Sequence, residues 1–138
     1  MSQGYSRKPL VEKLGIKPGF QIAFLNAPPD YLTKLGSLPE GVKVSTKLKN
    51  HLDIVQIFAT DKIVLEKKFP KLKDSLKEKG MLWVSWPKIS SGSRNQITEN
   101  EVRETGLKNG IVDVKICAID EKWSGLKFVR RRKDRQQS

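Results

Sequence analysis

The chain has 138 residues, of which 27 are Lys or Arg and 15 are Asp or Glu, for a formal net charge of +12. This length fits one compact domain, and no run approaches the roughly 20 apolar residues of a membrane-spanning helix. The single cysteine and single histidine exclude an internal disulfide and a zinc or iron-sulfur site built from Cys and His. Because the first residues also lack the apolar core of a signal peptide, a cytoplasmic location without a membrane partner is predicted.

The first half of the chain predicts short helices alternating with strands. Residues 9–15 run from a proline to a glycine and predict a short helix, and the apolar residues 20–25 predict a strand buried on both faces. Residues 30–36 predict a second short helix, and residues 42–44 alternate as an edge strand does. The apolar residues 52–58 predict the next buried strand.

A longer helix is predicted after this strand. Thr60 or Asp61 can cap its start, and apolar residues at three- and four-residue spacing predict one face turned toward the core. Pro70 interrupts the pattern and predicts a second helical piece, which Gly80 should end. The lysines of the segment KKFPKLKDSLKEK, residues 67–79, are typical of a solvated helix face, with anion binding as the alternative.

The remaining pattern begins with MLWVSWP, residues 81–87, which predicts a third buried strand stopped by Pro87. The polar residues 88–96 form the one loop long enough to act as a flap. Thr98 and Glu101 have the spacing of a capping box, so the next helix should begin there and end near Gly110. IVDVKICAID and GLKFVRRR, joined by EKWS, predict a terminal antiparallel hairpin.

Strands that alternate with helices predict an α/β fold: a single, small, Rossmann-like three-layer domain over residues 4–132, mostly parallel, with a C-terminal antiparallel hairpin. The order resembles a shortened S-adenosylmethionine (SAM) methyltransferase domain. The connection at residues 46–53 is shorter than the dozen or so residues of a usual parallel crossover, so the strand at 42–44 is predicted to be short or antiparallel.

A more specific resemblance rests on several segments of the chain. PLVEKLGIKPG, LNAP, LPEGV, LWVSWPK and DVKICAIDEKWSGLKFV resemble an uncharacterised family of small bacterial domains of unknown function. The resemblance covers nearly the whole chain up to Arg132. It implies a single α/β domain and brings no catalytic residues with it.

The segment FLNAPPDY, residues 24–31, follows the first buried strand, where a nucleotide-binding α/β protein carries a glycine-rich turn. Such a turn works because backbone N–H groups approach a phosphate closely. Pro28 and Pro29 remove two of these donors, and no acidic residue that would bind a ribose follows the strand at 42–44. No bound cofactor is therefore predicted, and adenosylmethionine is expected not to bind with useful affinity.

Several polar and aromatic residues remain as ligand-binding candidates, and each also has a structural explanation. Asn26, Asp30, Thr60 and Asp61 follow strands but are typical of turns and helix caps. Trp86 and Lys88 would pair an aromatic wall with a cation, although a tryptophan in a strand is usually core. The full set is Asn26, Asp30, Thr60, Asp61, Trp86, Lys88, Asp120, Glu121 and Trp123.

Asn26 and Lys88 are expected at the same sheet edge, where parallel strands end. Asp120, Glu121 and Trp123 form the polar-aromatic group of the hairpin turn, where an acid is common. The candidates contain no Ser-His-Asp, Cys-His or paired-carboxylate pattern, so no catalytic and no metal-binding residue is assigned. His51 has no sequence neighbour that would activate it.

The last twelve residues, 127–138, contain six basic residues and one acid. Residues 133–138 are predicted to be a disordered basic tail, and a nucleic acid or an acidic protein is its candidate partner. The anion-binding candidates are Arg130, Arg131, Arg132, Lys133 and Arg135. The main functional hypothesis is a non-catalytic binding or regulatory module. The alternatives are a divergent transferase that binds an adenosyl or nucleotide-like ligand, and an accessory nucleic-acid binder.

Overall fold

The computed structural model describes residues 8–88 and 97–132. Six strands form one sheet: β1 (Gln21–Leu25), β2 (Lys43–Ser45), β3 (Leu52–Phe58), β4 (Leu76–Pro87), β5 (Ile111–Ala118) and β6 (Trp123–Arg130). Four helices accompany it: α1 (Leu10–Leu14), α2 (Tyr31–Leu35), α3 (Lys62–Asp74) and α4 (Glu99–Lys108). None of the helices in these two ranges combines the length and apolarity that crossing a bilayer requires.

The strand order across the sheet is β2-β1-β3-β4-β6-β5. The first four of these strands are parallel, and β6 is antiparallel to both β4 and β5. The predicted α/β class and the terminal hairpin are therefore confirmed. Trp123 and Ser124, predicted to lie in the hairpin turn, instead begin β6.

The short connection at residues 46–51 is explained by the length of β2. The strand is short, as predicted, but it is parallel to β1, so the antiparallel alternative is wrong. Ser45, the last residue of β2, pairs with Ala23 of β1, and Ala23 also pairs with Val55 of β3. The connection therefore needs to return along the sheet only by the three residues from Val55 back to Leu52, where β3 begins. Crossing β1 spans about two strand spacings, roughly 10 Å, and residues 46–51 can reach about 20 Å when extended.

The helices cover both faces of the sheet. Leu65, Phe69 and Leu72 of α3 pack in one cluster together with residues of α4, β4 and β6. On the opposite face, Leu14 of α1 and Tyr31 of α2 pack over β1, β3 and β4. The sheet with helices packed on both faces has the predicted three layers. The domain limits at residues 4 and 132 stay a prediction.

Pro70 does not divide the helix, contrary to the prediction: α3 is continuous from Lys62 to Asp74 with Pro70 inside it. A proline inside a helix costs about 3 kcal/mol because it removes a hydrogen bond and crowds the preceding turn. Phe69 and Leu72, on either side, are both fully buried. Their packing on the sheet outweighs the local penalty.

Gly80 does not end the helix either, because α3 stops at Asp74 and Gly80 lies inside β4. The register between β3 and β4 shifts between Leu52 and Ile54, which face Leu76 and Met81. A Cβ on Gly80 would lie 3.0 Å from the carbonyl oxygen of Leu52. The glycine therefore permits a close backbone approach at an irregularity in the strand.

The helix predicted from the capping box is confirmed. The Glu101 amide donates to Thr98 Oγ1 at 3.1 Å, and the Thr98 amide donates to Glu101 Oε1 at 3.0 Å. Gly110, with φ of 83°, follows the end of α4. Apart from Lys88, the segment predicted to act as a flap lies outside the described residues.

Candidate functional site

The sheet reverses its direction of growth at β1, because the chain goes from β1 outward to β2 and then returns to β3 on the other side. In doubly wound sheets, ligands bind beyond the carboxyl ends of the strands at such a switch point. Two depressions open there. The switch-point cleft, about 100 Å³, lies between the ends of β1 and β3 and the start of α3. The proline groove, about 320 Å³, lies between the loop after β1 and the end of β2.

Asn26 lines both depressions. Its φ of 57° lies in the left-handed region, which asparagine tolerates better than most residues. The conformation turns the chain sharply out of β1 and into the two prolines. Sequence analysis identified this residue, but the positive φ and the position between two depressions come from the structure.

The walls of the proline groove are mainly apolar. They comprise Phe24, Ala27, Pro28, Pro29, Leu32 and Val44. Leu32 and Val44 are 48% and 38% exposed, so their side chains present apolar surface to the groove. Asn26 and Thr46 supply the polar groups, and no charged residue lines the groove among the described part of the chain.

The switch-point cleft is lined by Asn26, Thr60 and Asp61 among others. Asp61 Oδ1 accepts hydrogen bonds from the amides of Ile63 at 2.8 Å and Val64 at 3.1 Å. Asp61 is thus the N-cap of α3, which confirms one of the two predicted alternatives, Thr60 or Asp61. Thr60 is exposed beside it.

Asp30 occupies the N-cap position of α2, but its side chain caps no backbone amide. Its carboxylate instead lies 3.7 Å from Lys34 Nζ, one turn along the helix. The predicted N-cap position is therefore confirmed, but the side chain makes no capping hydrogen bond, because the chain enters α2 with Asp30 at φ −99° and ψ 11° rather than in an extended conformation.

The hairpin turn is tied to α2 through a carboxylate. Asp120 Oδ1 accepts from the amides of Lys122 at 2.8 Å and Trp123 at 2.9 Å, and Asp120 Oδ2 lies 3.3 Å from Lys34 Nζ. The hydrogen bond that Lys34 donates to Asp120 raises the pKa of Lys34 above its ordinary value. Asp120 therefore shapes the turn, and Glu121 beside it is exposed.

The two tryptophans near the end of β4 face different layers. Trp86 packs in the cluster beneath α3 and α4 and is 6% exposed, so the predicted aromatic wall is part of the core. Trp123 lies on the opposite face, with its ring centroid 5.0 Å from that of Phe58. The Lys88 amide donates to the Lys122 carbonyl, so Lys88 lies beside the hairpin turn.

Asn26 follows the carboxyl end of β1 and Lys88 follows the carboxyl end of β4, and these two strand ends lie at the same edge of the sheet. Leu25 is level with Ile57 of β3, which is level with Val84 of β4. The expected shared edge therefore exists, with β3 lying between the two strands. Whether any of these residues binds a ligand stays a prediction.

A buried polar network beneath this edge was missed by sequence analysis. The Tyr31 hydroxyl donates to Gln56 Oε1 at 2.7 Å, and Gln56 Nε2 donates to Ser85 Oγ at 3.0 Å. Burial raises the pKa of Tyr31, which keeps the hydroxyl protonated. Gln56 and Ser85, polar residues inside otherwise apolar strands, are the sequence signal from which such a network could have been predicted.

The aromatic rings around Tyr31 fill the same region. Its ring centroid lies 5.5 Å from that of Phe24 and 4.7 Å from that of Phe58, both edge to face. Tyr31 is 1% exposed. The space over the ends of β1 and β3 on this face is therefore occupied by the protein's own side chains.

The anion-binding candidates at the end of β6 have different environments. Arg130 Nη2 donates to the carbonyl oxygens of Lys73 at 3.0 Å and Leu76 at 3.2 Å. Arg130 therefore binds the carboxyl end of α3, where cations are favoured. Arg131 is half-buried and Arg132 exposed, whereas Lys133 and Arg135 lie outside the described residues.

No protein-family profile and no curated protein sequence matches the chain. Among solved structures, the fold is similar to a possible exported protein from Bordetella parapertussis, with a TM-score of 0.61 at 12% identity over 87% of this chain and 64% of that one. It is also similar to magnesium protoporphyrin IX methyltransferase from Synechocystis PCC 6803 with bound SAM, with a TM-score of 0.61 at 13% identity over 88% and 74%.

A SAM-dependent methyltransferase from Aquifex aeolicus has a TM-score of 0.59 at 15% identity, over 86% of each chain. At these identities the likeness shows a shared fold. The methyltransferase-like layout expected from the order of elements is therefore confirmed, and the chain spans less than two thirds of the Bordetella protein.

Proposed function

We propose that this protein is a non-catalytic binding module that holds a flat, uncharged organic group in the proline groove. The observation that carries the proposal is the lining of the groove: exposed apolar side chains with the Asn26 amide at one wall. Ligand sites are typically apolar, with a few polar groups that fix orientation. Pro28, Pro29, Leu32 and Val44 supply the apolar surface here.

The dimensions support a small ligand. The groove, at about 320 Å³, is at the lower end of the range of roughly 300–1,000 Å³ that is usual for ligand pockets. A single heterocyclic ring system fits this size, and the Asn26 amide has a donor and an acceptor for its edge. The switch-point cleft, at about 100 Å³, holds much less.

Three observations argue against the alternative of a SAM-binding transferase. Pro28 and Pro29 offer no backbone N–H groups to a charged ligand. The residues that end β2 and follow it, Ser45 to Lys47, include no acid to bind a ribose. Asp61 at the same edge is engaged in capping α3.

The test is a thermal-shift and calorimetric comparison of adenine, adenosine, SAM and S-adenosylhomocysteine. We expect a neutral ring compound to raise the melting temperature by mass action and SAM to have no useful affinity. Asn26→Gly is the informative variant, because glycine accepts the positive φ while the amide is lost. Asn50→Gly, which removes an exposed amide from a different depression, is the matched control.

Loss of binding in Asn26→Gly, with binding retained in Asn50→Gly, supports the proposal. Equal binding in both variants, or no binding of any neutral compound, contradicts it. A dissociation constant for SAM in the low micromolar range would replace the proposal with the transferase alternative.

A further inference from the structure

Three lysines from different elements converge on one face of the terminal hairpin. Lys115 of β5 lies directly opposite Lys127 of β6 in the antiparallel register. Leu126 and Phe128, on either side of Lys127, point to the α3 and α4 side, so Lys127 and Lys115 share the α1 side. Lys13 of α1 reaches the same place, with its Nζ 3.4 Å from the Ala118 carbonyl oxygen.

Lys13 Nζ and Lys115 Nζ both approach backbone carbonyl oxygens. Lys115 Nζ is 3.5 Å from the carbonyl oxygen of Lys13. No carboxylate of the described residues lies within ion-pair distance of Lys115 or Lys127. Like charges directly opposite each other on neighbouring strands are destabilising.

The surroundings increase this unfavourable interaction. Lys127 is half-buried, and desolvation followed by repulsion from Lys115 lowers its pKa. Cys117, two residues beyond Lys115 on the same face, brings no compensating negative charge, because burial raises the pKa of its thiol. The hairpin therefore keeps a positively charged cluster that weakens the isolated fold.

We propose that Lys13, Lys115 and Lys127 form a binding site for the phosphodiester backbone of a nucleic acid. An anionic oxygen between the opposed ammonium groups replaces their repulsion with charge-assisted hydrogen bonds. Neutralising backbone phosphates also releases condensed counterions, which is the main source of sequence-independent affinity. This site is separate from the proline groove and does not depend on the function proposed for it.

The shape of the cluster favours a polymer over a free phosphate. Lys115 lies on the edge strand β5, Lys127 on its neighbour β6 and Lys13 in the last turn of α1, so the three lysines line one face near the edge of the sheet. A backbone places successive phosphates along such a face, whereas a single phosphate would remain largely hydrated there. The basic sequence after β6, including Lys133 and Arg135, continues directly from the strand that carries Lys127.

The experiment measures binding of fluorescently labelled single-stranded RNA and duplex DNA to the full chain at two salt concentrations. The test variant is K13Q/K115Q/K127Q. The matched control is K67Q/K68Q/K71Q, which removes the same charge from three exposed positions of α3. The conservative variant K115R/K127R keeps the charges, and K133Q/R135Q tests the terminal segment.

We expect the test variant to lose about tenfold or more in affinity for at least one of the two nucleic acids and the control about twofold. For the single strand, the log-log salt dependence should flatten by about 2, since each lost phosphate contact removes roughly 0.7. K115R/K127R should bind as the wild type does. The melting temperature of the test variant should not fall, because repulsion is removed.

Equal losses in the test and control variants would show that overall charge is responsible and would overturn the proposal. Binding of neither nucleic acid by the wild type would overturn it as well, including the case in which the protein binds vesicles containing anionic lipid instead. If K133Q/R135Q accounts for the whole effect and K13Q/K115Q/K127Q for none, the site on the hairpin does not exist. Unfolding of the test variant would contradict the argument that the lysines repel each other.

Discussion

The Tyr31 hydroxyl donates a 2.7 Å hydrogen bond to Gln56 Oε1, and both side chains are buried. This bond connects α2, which follows the proline loop, to β3 in the centre of the sheet. Through Gln56 it continues to Ser85 of β4. The position of the loop that carries Asn26 therefore depends on a polar network beneath it.

Replacing Tyr31 with phenylalanine removes the hydroxyl donor and leaves the buried Gln56 oxygen without it. We expect Tyr31→Phe to lower the free energy of unfolding by about 1–3 kcal/mol, as for other buried groups that lose their partner. Urea denaturation measures the change. The double variant Y31F/Q56L should recover part of the loss, and a neutral Y31F would show that the network contributes little.

Arg130 and Arg131 are neighbours in sequence and should differ in their effect on stability. Arg130→Met removes the donor to the carbonyl oxygens of Lys73 in α3 and Leu76 at the start of β4, and we expect a loss of about 1–3 kcal/mol. Arg131→Met should change stability by no more than about 0.5 kcal/mol. Thermal and chemical unfolding compare the two variants, and equal effects would refute the capping function of Arg130.

Asp120 contributes to stability through its hydrogen bonds in the turn and through its charge, and two substitutions separate these contributions. Asp120→Ala removes the acceptor for two backbone amides and should cost about 1 kcal/mol. Asp120→Asn keeps an oxygen in that position and loses mainly the partly exposed pair with Lys34, so we expect a much smaller loss of stability than in Asp120→Ala. Chemical denaturation distinguishes these outcomes. A large loss in Asp120→Asn would mean that charge matters more than turn geometry.

Lys127 predicts a pH dependence with a definite sign. Its pKa in the folded protein lies below the ordinary 10.5, so between these two values the unfolded chain binds more protons and stability rises with pH. Lys127→Gln should therefore be more stable than the wild type near neutral pH. The difference should shrink as pH rises through the pKa of Lys127 toward 10.5.

Melting temperatures of wild type and Lys127→Gln across this pH range provide the measurement. Lys67→Gln, at an exposed position of α3, is the control and should show no comparable pH-dependent difference. If Lys127→Gln is less stable than the wild type at neutral pH, the aliphatic part of the side chain contributes more than the repulsion costs.

The sequence by itself determined the features that depend on near neighbours. The capping box of Thr98 and Glu101 was predicted because it depends on hydrogen bonds between near neighbours. The strand at 52–58 was predicted from its burial pattern, and the glycine after α1 from the backbone conformation that ends a helix. The unusual loop after β1 was also apparent, since proline lacks the donor that a phosphate site needs.

The tertiary structure decided what depends on partners distant in the chain. Pro70 stays within a helix because Phe69 and Leu72 pack on the sheet, and the parallel direction of β2 follows from its pairing with β1. Lys115 faces Lys127 because of the strand register, and Arg130 reaches carbonyl oxygens of residues far earlier in sequence. Such contacts follow from the folding of the whole domain, in which burial and register outweigh the preference of any single residue.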